Sequence, residues 1–271
     1  MKLLKSAAIA FSMYSKIPVP IVDWEEDGMK YALCFFPLVG VVIGLLEAIA
    51  GYVLHSRTDC GNTLIAAVMT MIPVLVTGGI HLDGFADTMD ARSSYGDREK
   101  KLAILKDSNS GAFAVIGLCC YFLCTFALWT EIRIQDLAAV AMIFPFSRAL
   151  SGISVVTFPP AKDSGLLRTF RDGAHRKRVR GILLFWAAAI CICGICFAYT
   201  AGASETILGV PVLIVQIFAA VAAALLVFVY YYRVSQKEFG GTTGDLAGYF
   251  LQLCELAMLA AIVVSGGALW K

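Results

Sequence analysis

The sequence predicts an all-α, polytopic membrane bundle of about seven transmembrane helices with a cytoplasmic N-terminus. Three observations carry that prediction. Hydrophobic residues make up 59% of the 271 and charged residues only 15%, the apolar residues gather into runs of spanning length, and the basic residues alternate between connections. Soluble domains carry about a quarter charged residues, so this composition points to lipid as the solvent. A formal net charge of +2 is too small to argue for a nucleic-acid partner.

Crossing the hydrocarbon layer takes about 20 mostly apolar residues in helical form. Seven stretches qualify: 31–54, 62–80, 110–130, 135–157, 180–201, 207–231 and 246–269. Lipid admits only helices or closed barrels, and no run shows the period-two alternation of a barrel strand. Ahead of them, residues 1–17 place Leu3, Leu4, Ala7, Ala8 and Phe11 on one helical face, with Lys5, Ser12 and Lys16 away from it. That pattern suits an interfacial helix. Pro18 and Pro20 end it with no small-residue cleavage site, which argues against a cleaved signal peptide.

The connections test the count. Lys2, Lys5, Lys16 and Lys30 precede the first span, and Arg57 alone follows it. Arg92, Arg98, Lys100, Lys101 and Lys106 come next, then Arg133 alone, then Lys162, Arg168, Arg171, Arg176, Lys177, Arg178 and Arg180. The connection at 202–206 has no basic residue, and the next has Arg233 and Lys237. Rich and poor connections alternate throughout, as the positive-inside rule requires of seven spans. The long connections 81–109, 158–179 and 232–245 are therefore expected on the cytoplasmic side, in one domain covering 1–271. Of the nine cysteines, only Cys60 lies in a polar connection, so the expected role is packing rather than disulfides or metal binding.

The chemistry is written in the connections. In G-G-I-H-L-D-G-F-A-D-T-M-D-A-R, residues 78–92, Asp83, Asp87 and Asp90 stand at i, i+4 and i+7, one face of a helix. Stacked carboxylates repel each other, and a cation removes the repulsion. Hard oxygen ligands suit Mg2+ or Mn2+, and Mg2+ commonly completes its shell with substrate phosphates. His81 precedes the run; the bland reading is a structural imidazole, the sharper one a group that holds phosphate or accepts a proton. Arg92 closes the run as a candidate substrate contact.

Lys106-Asp107-Ser108-Asn109-Ser110-Gly111 precedes the third span. Helix capping alone would explain Asp107 and Ser108. The functional alternative adds Asp107 to the metal ligands and turns Ser108 toward phosphate at a helix N-terminus. Gly240-Gly241-Thr242-Thr243-Gly244-Asp245 precedes the last span; its glycines allow a tight turn and close approach to a ligand. Gly241, Thr243 and Asp245 are the candidate binding residues there. Arg148 and Glu255 lie inside spans at similar depth, where charge is costly and faces a polar interior. They are expected in one cavity, paired or touching substrate. Glu47 has no evident role.

These motifs, with K-I-P-V-P at 16–20 and F-F-P-L-V-G at 35–40, resemble the cobalamin synthase family, the adenosylcobinamide-GDP ribazoletransferases, over nearly the full length. Lys16 stands where the family usually has Arg, and Leu246-Ala247-Gly248 where it usually has Leu-Gly-Ala. The resemblance implies an Mg2+-dependent enzyme of the inner membrane with its active-site loops on the cytoplasmic side. Its substrates would be adenosylcobinamide-GDP and α-ribazole or α-ribazole 5′-phosphate, its products adenosylcobalamin (or its 5′-phosphate) and GMP. On that reading Asp83, Asp87, Asp90 and Asp107 hold metal. Proton transfer falls to His81, Asp90 or Asp107, and Ser108, Arg92, Arg148, Gly241, Thr243, Asp245 and Glu255 contact substrate. A homo-oligomer is left open. The rival readings are an aspartate-dependent membrane transferase of the CDP-alcohol phosphatidyltransferase or prenyltransferase type, whose motif order differs from this one, and a transporter, whose inverted repeats are not seen here.

Overall fold

The structure, a computed structural model, describes residues 2–20, 22, 26–107, 109–162, 165–200, 206–207 and 210–266. Twelve α-helices follow in order among the described residues: α1 Lys2–Tyr14, α2 Glu26–Met29, α3 Phe36–Arg57, α4 Asn62–Thr77, α5 Ile80–Ser93, α6 Arg98–Ile104, α7 Ala112–Thr130, α8 Leu137–Thr157, α9 Leu166–Gly173, α10 Arg176–Thr200, α11 Val212–Phe239 and α12 Gly244–Ser265. Six of them (α3, α7, α8, α10, α11 and α12) are long and apolar enough to cross a membrane, α3 and α8 each with a leading 3-10 turn. The pair α4 and α5 qualifies jointly but bends by 96°. Counting that pair as one crossing gives the expected seven; α4 is its apolar limb, and α5 turns aside across the bundle.

The bend has a local cause. Gly78 and Gly79 take φ of 67° and 80°, a left-handed pair that residues with a Cβ rarely adopt. Lys16 packs into the space a side chain at Gly78 would need, and its amide donates to the Val76 carbonyl at 2.7 Å. The K-I-P-V-P segment therefore braces the turn from outside.

Helix α8 runs through the centre. Gly40 and Gly44 of α3 face it with no room for a side chain: a Cβ at either would collide with the α8 backbone at Phe144–Pro145 or Ala141. Small residues let membrane helices approach so closely that dispersion between them accumulates. A large apolar core joins α3, α8, α11 and α12. A smaller one gathers Ile9, Met29, Leu33, Val155, Phe170 and Leu183 beneath α1. Helix α1 buries Ser6, Ile9 and Ala10 there and leaves Leu3 and Leu4 exposed.

Several expected boundaries move. The connection expected at 232–245 shrinks to Gly240–Thr243, because α11 continues to Phe239. The span expected from 207 begins at Val212, after a hairpin pairing Thr206–Ile207 with Val210–Pro211. The connection 81–109 is largely helical, holding α5 and α6, and 158–179 holds α9. Cys119, Cys120, Cys124, Cys193 and Cys196 lie on exposed faces of α7 and α10, so they do not fill the core as expected; Cys34 and Cys254 do. Outward-facing apolar positions suit lipid as well as they suit a core.

Gly44→Val is expected to destabilise the bundle by about 1–3 kcal/mol, read as a lower melting temperature of the purified protein in detergent. An unchanged transition would show that α3 and α8 separate at little cost.

Candidate active site

Helices α5 and α12 touch backbone to backbone. A Cβ on Gly84 would lie 2.8 Å from the Asp245 backbone, and one on Gly248 would lie 2.8 Å from the His81 carbonyl. Phe85 stacks on Tyr249 with ring centroids 5.6 Å apart beside this crossing. Without both glycines the helices would stand farther apart, and Asp245 would leave the neighbourhood of Asp83 and Asp87. Thr243 starts α12 as its N-cap, accepting from the Leu246 amide at 3.2 Å, so Asp245 occupies the first turn, where the helix dipole favours negative charge.

The carboxylates are crowded. Asp83 is exposed, and Asp87, Asp90 and Asp245 are half-buried. The Asp87 carboxyl is pushed up to about 6, by burial first and then by the charges of Asp83, Asp245 and Asp90. This is a site short of positive charge. Among the described residues, no three His, Cys, Asp or Glu side chains converge into a ready-made ion cage. Mg2+, however, binds through one or two carboxylates plus water and substrate phosphates. The oxygen donors of Asp83, Asp87 and Asp245 fit that ion.

Beside the carboxylates opens a cleft of about 290 Å³. Tyr14, Leu33, Phe36 and Phe170 line one part of it, and Asp83, Asp245, Lys162, Thr242 and Thr243 another. The Tyr14 ring lies 4.1 Å from that of Phe36 and 6.0 Å from that of Phe170. His81 also lines the cleft, near Tyr14 and Phe36 at 6.0 and 5.8 Å. Its Nε2 is buried without a hydrogen-bond partner among the described residues. Burial, and then the charge of Arg148, pulls the imidazole down to about 3. Both effects disfavour the charged form of the ring.

Other expected site residues have different partners. Asp90 caps α7: one carboxylate oxygen accepts from the Gly111 amide, the other from Ala114 at 3.0 Å. Asp107 is exposed and closes a turn by accepting from the Asn109 amide and side chain, both at 2.9 Å; those bonds hold its carboxyl below the usual range. This is the capping alternative, and it leaves Asp107 with no contact to the other aspartates among the described residues. Ser108 lies outside the described residues. Arg92 does not reach the cleft; it pairs with Glu238 at 2.9 Å and donates to the hydroxyls of Tyr230 and Tyr249, each at 2.6 Å. Glu238 also takes Lys101 at 2.7 Å. This clamp ties α5 and α6 to α11 and α12.

Arg148 and Glu255 pair as expected, at 2.6 Å and almost fully buried. They line another cavity, of about 30 Å³, with Tyr121, Thr125 and Gln252, and neither is among the residues that line the cleft. Glu47 is fully buried, and both its oxygens lack partners among the described residues. Gly241, with φ of 154°, lets the turn press against Pro160 and Ala161. The sequence reading missed the aromatic wall and Lys162. Pro159-Pro160, a stiff extended pair just ahead of Lys162, was the available signal.

A family model for cobalamin-5-phosphate synthase matches residues 6–263. A curated adenosylcobinamide-GDP ribazoletransferase of Lachnoclostridium phytofermentans is 45% identical over 99% of this chain and 97% of its own. Proteins of the same name from Clostridium botulinum (strain Alaska E43) and Treponema denticola are 34% and 32% identical, each over 95% of this chain and 96% of their own. No solved structure matches.

Two substitutions separate support from chemistry. Asp90→Ala is expected to cost about 1 kcal/mol through the lost α7 cap, seen as a lowered melting temperature; a melting curve like that of the parent would deny the cap. Glu255→Leu, which strands Arg148, is expected to cost about 3–5 kcal/mol, and adding Arg148→Met should restore most of it. Failure of the double variant to recover would show that the pair does more than neutralise itself.

Proposed function

Because the chain belongs to the cobalamin-5-phosphate synthase family, we propose that it is an adenosylcobinamide-GDP ribazoletransferase working through the carboxylate cluster of α5 and α12. It joins adenosylcobinamide-GDP to α-ribazole or α-ribazole 5′-phosphate, giving adenosylcobalamin or its 5′-phosphate and GMP. The observation that carries the chemistry is the close crossing of α5 and α12 at Gly84, which sets Asp83 and Asp245 in the lining of one cleft with Asp87 near enough to feel both charges.

In this reaction a ribose hydroxyl attacks the phosphorus bearing the cobinamide arm, and the phosphoanhydride bond to GMP breaks. Asp83 and Asp87, with Asp245 across the helix crossing, would hold Mg2+. When bound, that ion neutralises the phosphate oxygens and the charge that develops as GMP departs. The planar base of the nucleoside matches the wall of Tyr14, Phe36 and Phe170, which excludes water and orients the ribose toward the carboxylates. The hydroxyl proton passes to a carboxylate oxygen of the cluster or to His81, whose Nε2 has no partner among the described residues and which lines the same cleft. The first turn of α12 adds positive potential beside the phosphates.

The chain is a multi-pass membrane protein. The basic connections support placing the N-terminus and the α5–α12 site on the cytoplasmic side of the inner membrane, where a nucleotide-linked substrate is at hand.

Purified protein given both substrates is expected to release GMP with Mg2+ and to stop when EDTA is added. Asp83→Asn and Asp87→Asn should each lower turnover at least about 100-fold. In metal-free detergent they should melt no lower than the parent, because each relieves repulsion. GMP release insensitive to EDTA, or either variant at parental activity, would overturn the metal assignment; no GMP release from the parent would overturn the function itself.

A further inference from the structure

In the sequence, Lys162 is one more cation of a basic connection. Its position is more constrained than that. The segment before it is stitched to the turn ahead of α12: the Thr242 amide donates to the Pro159 carbonyl at 2.8 Å, and the Ala161 amide donates to the Thr242 carbonyl at 2.9 Å. This makes a short parallel bridge between Pro160 and Thr242. Arg98 adds a bond to the Ala161 carbonyl at 3.2 Å, and the Tyr231 hydroxyl bonds the Thr242 side chain from below. Lys162 and Asp245 thus hang from one rigid corner and line the same cleft.

The ammonium is half-buried and makes no hydrogen bond or ion pair among the described residues. Burial disfavours its charge, Asp245 supports it and Lys106 opposes it. Lys162 thus stands beside a carboxylate in the cleft lining without bonding it. Arg168, the other cation lining the cleft, is paired with Asp172. Lys162 remains to meet an anion.

Resting on the function proposed above, we infer that Lys162 is the seat for the phosphate that leaves on GMP. On that function, the phosphorus under attack would lie against Asp83 and Asp87, the carboxylates that would hold the cation. The other phosphate of the diphosphate then reaches past Asp245 toward Lys162. As the anhydride bond breaks, its electron pair goes to that leaving phosphate, and a fixed ammonium stabilises the charge it gains. The corner that holds Lys162 also carries the Asp245 carboxylate, so both phosphates are referred to one piece of backbone.

The test compares GMP with guanosine as ligands for the purified, metal-free protein in detergent, by calorimetry. Lys162→Ala is expected to weaken GMP binding about tenfold or more, the scale of one charge-assisted hydrogen bond, and to leave guanosine binding unchanged. Lys162→Arg should recover most of the loss, and Lys177→Ala, at an exposed position, should match the parent. In turnover, Lys162→Ala should also raise KM for adenosylcobinamide-GDP or lower kcat without changing KM for α-ribazole. GMP affinity unchanged in Lys162→Ala, or lost equally for guanosine, overturns the inference, as does a parent protein that turns over but does not bind GMP. A parent that releases no GMP from its substrates brings down the functional reading instead. That outcome is distinct, because the binding comparison does not need turnover.

Discussion

Carboxylates on two different helices stand side by side only where the backbones touch and positive charge is supplied between them. The crossing of α5 over α12 meets the first condition through Gly84 and Gly248, each of which leaves no room for a Cβ. The second condition is left open by the protein itself. The raised Asp87 carboxyl records the shortage, with burial as the larger cause and three neighbouring aspartates adding to it. A folded site that is electrostatically incomplete is one that binds a cation and a phosphate together more readily than either alone.

Keeping such a cluster assembled takes opposing interactions around it. The Arg92–Glu238–Lys101 clamp secures the far end of α5 to α11 and α6. Asp90 spends its two oxygens on the amides that start α7. The Arg148–Glu255 pair joins α8 to α12 within the bundle, where breaking one partner costs more than the pair contributes. Aspartates seven residues apart on one helix therefore do unlike work. Asp83 faces the cleft with spare oxygens, while Asp90 is a structural acceptor.

That division marks how far the residues alone could be read. The spans were legible because hydropathy and basic-residue alternation both depend on lipid, and the i, i+4, i+7 spacing was enough to put the aspartates on a helix. The 96° turn after α4 depends on Lys16 filling the space beside Gly78, a contact between segments about sixty residues apart. The roles of Asp90 and Arg92 depend on partners 21 and 146 residues away. Local pattern carries chain geometry well; it does not say which of several like charges is left without a partner. Lys162 shows the converse: it looked like one more topology-setting cation until the bridge between Pro160 and Thr242 gave it a fixed address.

Transferring a large, partly apolar group between two soluble-headed substrates poses a solvent problem as much as a chemical one. Water in the cleft would compete with the ribose hydroxyl for the same phosphorus, so the acceptor has to be held against a surface that excludes water. Tyr14, Phe36 and Phe170 supply that surface from three separate elements, α1, α3 and α9. The charged part comes from α5, α12 and the corner before α9. Helix α1 is thus a wall of the site, which explains why a segment that crosses no membrane is packed so firmly, with Ser6 bonded to the Gly28 carbonyl at 2.7 Å and Ile9 and Ala10 fully buried. An anchor needed only for lipid would have no reason to bury a polar side chain. A wall of the cleft does, because its register against α3 sets where the Tyr14 ring stands beside Phe36 and His81.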